Sequence, residues 1–509
     1  MSCLLINPPL VKPSEPPPGI ARLAGALEAS GVSCALLDAN IEGILHLLRA
    51  PCRDDVNDTW TRRARRHLPK ALEEIRTPTI CNKFDRYRRA VMDIHRVLQL
   101  AARPSGVRLS LADYHDEHLS PVRSADCLRS FANPETNPFY SYFEERIPSL
   151  LDETRPAVVG LSLNFLSQAL TAFALAGYIR RIDPGLKIIV GGGLATSWKR
   201  NPAWSDPFRD VIDLWVDGPG EKSLLDCFGK AGDDRLFPPR YEGLPLDRYL
   251  SPGLVLPYDA SRGCWWLNCS FCPERAERNR YRPVPPETVT NDLRKLVDDH
   301  DPALIHLVDN ALSPALLREL VKTPPGAPWY GFARFTADLD DPAFCRELKR
   351  AGCAMLKLGL ESGSPAVLEK LGKGVDLDQA SRTLAYLKEA GIAAYVYLLF
   401  GTPEETIDDA GKTKDFVARH AGNIDFLNMA VFNLPAWSDE ARTLGCGSFY
   451  EGDLMLYRTF VHPRGWNRRQ VRQFIDKELR RHPAIAEIIR RDPPFFTSNH
   501  AAFLRGGVR

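Results

Sequence analysis

Long apolar runs are missing from this sequence. No stretch approaches the ~20 residues needed to cross a bilayer, so no membrane partner is expected. An excess of one charge is missing as well: 66 Lys and Arg face 64 Asp and Glu, a formal net charge of +2. That balance excludes a chain built to coat nucleic acid. Internal repeats and low-complexity tracts are absent, and 44% hydrophobic against 26% charged residues excludes wholesale disorder. The opening Met1-Ser2-Cys3-Leu4-Leu5-Ile6-Asn7-Pro8-Pro9 has no basic stretch and meets prolines early, unlike a secretory signal, so a cytoplasmic protein is expected. No Gly-x-Gly-x-x-Gly opens the first helical pattern, which weakens a dinucleotide reading. Cysteine is scarce: 12 in 509 residues is too few for a disulfide scaffold.

What is present is an alternation of short apolar runs with helical spacing. Residues 4–6 and 34–37 read as buried strands flanking a helix over 20–29 that Gly31 stops. The pattern resumes with strands at 158–162, 187–190 and 211–216 and a helix over 167–181. Strand–helix–strand units of this kind build parallel sheets. The intervening residues 44–155, rich in arginine, read as a helical insertion, and the Pro- and Gly-punctuated stretch 230–250 reads as a linker. A second alternation offers strands at 255–260, 304–308, 330–335, 355–360, 393–400 and 425–431 with helical patterns between them. The fold expected is α/β: a Rossmann-like domain over 1–235 with its insertion, a partial (β/α)6 TIM-like barrel over 250–448, and a basic helical tail over 449–509. The tail either exposes its arginines or covers the barrel mouth.

Nine cysteines are scattered (Cys3, Cys34, Cys52, Cys81, Cys127, Cys227, Cys345, Cys353, Cys446) and read as small buried hydrophobes. The other three lie in Cys264-Trp265-Trp266-Leu267-Asn268-Cys269-Ser270-Phe271-Cys272, a C-x4-C-x2-C run just after the first barrel strand. Strand-to-helix loops of such barrels carry their active sites. No fourth cysteine or histidine stands nearby, so a closed tetrahedral zinc site is poorly supported. Three thiolates on a short loop suit an iron–sulfur cluster with one iron left open. His115-Asp116-Glu117-His118 has metal-ligand residue types but no organised partner, and reads as a solvated loop.

With this run the sequence resembles the radical S-adenosylmethionine (SAM) superfamily, whose pattern is C-x3-C-x2-C with an aromatic before the third cysteine. Phe271 matches that aromatic, and the first gap is one residue longer. The resemblance implies a [4Fe–4S] cluster on Cys264, Cys269 and Cys272, with SAM on the fourth iron and cleaved by a cluster electron to a 5′-deoxyadenosyl radical. It also implies SAM contacts from Phe271, from Glu361 and Ser362 in Leu358-Gly359-Leu360-Glu361-Ser362-Gly363, and from Gly401 in Leu399-Phe400-Gly401-Thr402-Pro403. Asp309 stands where the family often has Gly-Gly-Glu and would meet the SAM ammonium; Arg334 would meet its carboxylate.

The N-terminal strand ends, Asp38-Ala39-Asn40-Ile41-Glu42-Gly43, Gly160-Leu161-Ser162 and Gly191-Gly192-Gly193, resemble the cobalamin-binding domain. There the pattern is Asp-x-His-x-x-Gly, then Ser-x-Leu, then Gly-Gly. Cobalamin is implied at Asp38, Asn40, Ser162, Gly191, Gly192 and Gly193, without a histidine below cobalt, because Asn40 occupies the histidine's place and an amide is a poorer ligand than imidazole. The implied function is a cobalamin-dependent radical SAM enzyme, a C- or P-methyltransferase acting on a small molecule or peptide and fed by an electron donor such as flavodoxin or ferredoxin. The alternatives are a radical SAM enzyme of other chemistry with a cobalamin-free recognition domain, and a non-catalytic iron–sulfur protein.

Overall fold

A computed structural model describes residues 2–50, 58–232, 235–494 and 500–504 of the chain. The chain divides into two compact units. One comprises the residues up to Leu254 together with Tyr450–Leu456; the other comprises Val255–Phe449 and Tyr457–Pro493. Cys52 lies outside the described residues, as do parts of the insertion, linker and tail.

The first unit is built on a five-stranded sheet. Its strands are β1 (Ser2–Ile6), β2 (Ser33–Leu37), β3 (Val158–Ser162), β4 (Lys187–Gly191) and β5 (Leu214–Trp215), in the order β2-β1-β3-β4-β5. All pairings are parallel. Cys3 to Ile6 and Val158 to Leu161 are buried throughout, as strands covered on both faces must be. The fifth strand is shorter than its apolar run suggested. The helices Pro18–Ala29 and Leu166–Ile182 are the crossovers. The first begins with Pro18 at a position where the missing N–H costs nothing. The insertion holds the helices Thr59–Glu74, Phe84–Ala102, Ser124–Ala132 and Tyr140–Thr154, and a hairpin of Val107–Leu109 with Tyr114–Asp116 that helical spacing did not announce.

Residues 237–250, expected as a linker, are stitched into this unit. The Arg240 N–H donates to the Ala21 carbonyl at 2.9 Å, and a Cβ on Gly25 would overlap the Pro238 carbonyl. Proline and glycine here shape a close-packed strap.

The second unit carries six parallel strands in strict sequence order: β6 (Val255–Tyr258), β7 (Leu304–Leu307), β8 (Trp329–Ala333), β9 (Cys353–Glu361), β10 (Ala393–Phe400) and β11 (Phe426–Val431). Helices Pro286–His300, Pro314–Lys322, Pro342–Arg350, Leu377–Ala390 and Ile407–Arg419 connect them. Capping is explicit: Ser313, Asp341, Asp376 and Thr406 each accept a first-turn N–H. Val255, Leu304, Tyr330, Met355 and Phe426 form one core cluster, and Ala501 and Ala502 pack into it. The tail supplies the helices Arg468–Phe474 and Pro483–Arg490.

Candidate functional site

The cysteine loop leaves β6 through a two-residue ribbon, Ser261 and Arg262 against Pro283 and Arg282, which fixes both ends of the loop. Asp309, at the end of β7, holds the base of the loop: its carboxylate accepts the Ala260 N–H at 2.9 Å and the Ser261 hydroxyl. Burial pushes this carboxyl up to about 6, against the pull of those two donors. Both oxygens face the loop, so Asp309 anchors its base.

The loop docks onto residues 371–374. The Ser270 N–H donates to the Leu371 carbonyl at 3.0 Å, and the Trp266 indole donates to the Gly372 carbonyl at 2.9 Å. Gly374 has a φ of 63°, and a Cβ there would lie 2.4 Å from the Trp266 ring; only glycine admits the indole. Cys269 is buried, and Cys264 and Cys272 are half-buried. Desolvation raises the Cys269 and Cys272 thiols, the latter to about 11, while Lys373 and Arg334 oppose the rise at Cys269. No three His, Cys, Asp or Glu side chains among the described residues converge on a single ion.

Around the loop stand side chains from other strand ends. Phe271 packs beside the cluster of Leu399, Phe432 and Leu434. Glu361 ends β9 with a φ of 64°, where the register to β10 slips between Gly359 and Glu361. Its carboxylate meets the Lys373 ammonium at 2.8 Å, with both side chains about one-tenth exposed. A Cβ on Gly359 would come within 2.5 Å of both charged groups, so the glycine leaves the space they fill. From sequence, Lys373 stood only within the run 367–374 that continues the resemblance after Gly363, and the two tryptophans only within the cysteine run; none was given a role of its own.

Ser362 and Gly401, two of the expected SAM contacts, also make contacts within the protein. Ser362 is fully buried; its hydroxyl faces Thr413 at 3.3 Å and accepts the Ser364 N–H at 3.1 Å, bracing the strand end. Gly401 (φ 80°) is covered by Val471, which a Cβ would approach to 3.1 Å. The Gly401 N–H and the Trp466 indole both donate to Glu405 Oε2, while Glu405 Oε1 finds no partner. Burial pushes Glu405 up to about 7 despite those two donors. His462 stands 2.8 Å from the Thr402 carbonyl, and Arg468 donates to the Phe432 carbonyl at 3.1 Å. The tail therefore packs over the ends of β10 and β11.

In the first unit the carboxyl edge of the sheet is organised by a buried polar network. Asp38 accepts from the Asn7 amide at 2.9 Å, the Tyr249 hydroxyl at 2.7 Å and the backbone N–H groups of Asn40 and Ile41. Burial still raises it to about 6. Asn40 is equally buried, and its amide exchanges two hydrogen bonds with the Val11 backbone at 2.9 and 3.0 Å. It pins the proline loop. Gly192 has a φ of 112°, and its Cβ would meet the Leu163 carbonyl at 2.5 Å; Gly191 would meet Val216 at 3.4 Å. At 192 the protein's own backbone already requires glycine. Ser162 accepts from the Asn164 amide at 3.0 Å, Asn164 accepts from the Gly193 N–H at 2.9 Å, and Phe165 beside them is 59% exposed. The segment from Asp38 to Gly43 holds no histidine.

Among the described residues the scattered cysteines form no disulfide. Cys3, Cys34, Cys127, Cys345 and Cys353 are buried, and Cys81, Cys227 and Cys446 are half-buried. Asp116 accepts the His118 and Leu119 N–H groups at 2.8 and 2.9 Å, a turn rather than a metal site. No helix among the described residues is long and apolar enough to cross a membrane.

Residues 258–417 match the family model of the radical SAM superfamily. The chain is 25% identical over 325 residues to an uncharacterized methyltransferase of Pyrococcus horikoshii, covering 56% of this chain and 68% of that one. It is 28% identical over 193 residues to an anaerobic magnesium-protoporphyrin IX monomethyl ester cyclase of Rubrivivax gelatinosus, covering 36% of this chain and 34% of the other. In fold it is similar to the radical SAM methyltransferase TsrM of Kitasatospora setae, solved with cobalamin and a [4Fe–4S] cluster bound: TM-score 0.51, 17% identity, 96% of this chain and 91% of that one.

Proposed function

We propose, from the premise that this is a radical SAM protein, that the chain is a cobalamin-dependent radical SAM methyltransferase acting on a small molecule. The observation that carries the reading is the three-thiol loop seated on residues 371–374 beside a buried Glu361–Lys373 pair, within a six-stranded parallel barrel that matches the superfamily. The relatives and the TsrM fold, which spans both units, favour methyl transfer and a cobalamin-binding first unit.

Cys264, Cys269 and Cys272 would hold the cluster, which supplies one electron for the cleavage of SAM; cobalamin would carry the methyl group. The methionyl end of SAM presents one carboxylate and one ammonium. The Lys373 and Glu361 pair presents the complement of each, already desolvated and oriented. Phe271 walls the same mouth, and the Trp466, His462 and Val471 brace sets the Gly401 loop against which the adenosyl end would lie. In the first unit Ser162, Asn164, Gly193 and Phe165 would line the cobalamin face, while Asp38 and Asn40 hold that face in shape. The electron donor would be a flavodoxin or ferredoxin, and the working compartment the cytoplasm.

Anaerobic reconstitution tests the reading. Wild type should gain a broad absorbance near ~400 nm, bind hydroxocobalamin and cleave SAM under reduction; Cys264→Ala, Cys269→Ala and Cys272→Ala should each lose the absorbance and the cleavage. Cluster content retained in the triple variant would refute the cluster assignment. SAM cleavage without cobalamin binding would favour the second reading, a radical SAM enzyme with a cobalamin-free recognition domain, for which Asn40 in the histidine's place and the large insertion are the motive.

A further inference from the structure

We propose that Arg334 serves the cluster and not the SAM carboxylate: its guanidinium stands against the Cys269 sulfur and raises the reduction potential of the metal group that the cysteine loop holds. The inference rests on the functional reading above. Arg334 follows the last residue of β8 and is 6% exposed. Its Nη1 lies 4.0 Å from Cys269 Sγ, and its Nη2 donates to the Lys373 carbonyl. The guanidinium carbon sits 4.1 Å from the centre of the Trp266 ring and 5.7 Å from that of Trp265.

Each element of this cradle is fixed by another. Trp266 is held by its hydrogen bond to Gly372 and by the glycine at 374. Trp265 meets it edge to face at 6.0 Å and donates to the Leu312 carbonyl at 3.2 Å. Both indoles belong to the first gap of the C-x4-C run, so the residues that separate the first two thiols also supply the stacking surface for the cation. A guanidinium bound by a carbonyl, a sulfur and an aromatic face cannot swing out to a carboxylate without losing all three.

The electrical consequence follows from charge. Three thiolates and a [4Fe–4S]2+ core carry a net negative charge, and reduction by one electron adds another. A buried cation at the sulfur favours the more negative state, so it makes reduction easier. The electron comes from an external low-potential one-electron donor; no bond in the protein forms or breaks, and Arg334 keeps its protons.

The experiment is a potentiometric titration of the anaerobic cluster-loaded protein, read by electron paramagnetic resonance with dithionite as donor, on wild type, Arg334→Gln and Trp266→Leu. Arg334→Gln should keep its iron and sulfide, bind SAM within about twofold of wild type by calorimetry, and show a midpoint lower by at least ~59 mV, a tenfold fall in the reduced-to-oxidised ratio at fixed potential. Trp266→Leu, which frees the guanidinium without removing it, should move the midpoint the same way by less, and it carries the test if Arg334→Gln fails to fold. An unchanged midpoint in the variants overturns the proposal, and an unchanged midpoint with SAM affinity weakened tenfold returns Arg334 to the SAM carboxylate. Absence of any cluster in wild type would instead sink the functional reading on which the proposal rests.

Discussion

Glu405 offers a measurement whose size follows directly from its surroundings. The carboxyl is fully buried, accepts from the Gly401 N–H and the Trp466 indole, and is pushed up to about 7 by desolvation. In the unfolded chain it returns to an ordinary glutamate value near 4.5. The folded state therefore holds this proton more tightly than the unfolded state. Its stabilising contribution is complete below the unfolded value and is lost as pH climbs from about 4.5 to about 7, after which it levels off. Each unit of displacement corresponds to ~1.4 kcal/mol, so the full span is about 3 kcal/mol. Glu405→Gln removes the titration while keeping an oxygen for the two donors. The variant minus wild-type stability should rise by about 3 kcal/mol between pH 4.5 and pH 8 and be flat from pH 8 to pH 9. Taking the difference cancels the similarly raised Asp38 and Asp309, which titrate in both proteins. Urea unfolding at a series of pH values, followed by tryptophan fluorescence, provides the curve. A difference independent of pH, or one that falls as pH rises, would refute the argument that desolvation dominates at this carboxyl.

Lys373→Met leaves the Glu361 carboxylate buried without its cation and should cost about 3–5 kcal/mol in denaturant unfolding, most of it restored by adding Glu361→Gln. Gly192→Ala should destabilise the first unit by about 1–3 kcal/mol, because the new Cβ meets the Leu163 carbonyl at a φ that alanine resists; circular dichroism during heating should show this with no cobalamin present. Asn40→Ala removes two hydrogen bonds to Val11 and should lower stability by about 1–3 kcal/mol, with protease cleavage appearing in the loop from Pro8 to Pro18.

The parallel sheets were legible because each strand is a short apolar run followed by a helix-spaced segment, and all eleven runs became strands. The cysteine loop was legible because thiols at that spacing have few other uses. What stayed hidden is what depends on side-chain direction. Asp309 and Ser362 stand at strand ends, as expected, yet one turns back to the Ser261 hydroxyl and the other to Thr413. Spacing cannot show which way a strand-end side chain turns once a bulge such as that between Gly359 and Glu361 shifts the register. Lys373 was hidden for a different reason: it lies 12 residues beyond Glu361 and meets it only through the fold. The glycines at 191–193 read as a ligand's footprint, and spacing could not show that they also make room for the Leu163 carbonyl, the Asn164 side chain and Val216.

The brace on the Gly401 loop also sets an order in time. Glu405 leaves the ribosome 61 residues before the Trp466 that holds it. At roughly 5–20 residues per second, that is an interval of about 3–12 seconds. Throughout it the loop has its backbone but not its support, and the thiol loop has long since emerged. A nascent chain would thus possess every cysteine before the loop proposed for the adenosyl group was braced. Synthesis that stalled inside this window would leave a chain with its thiols in place and the Gly401 loop without its brace; if that loop seats SAM as proposed, the capacity to start radical chemistry arrives only with the tail.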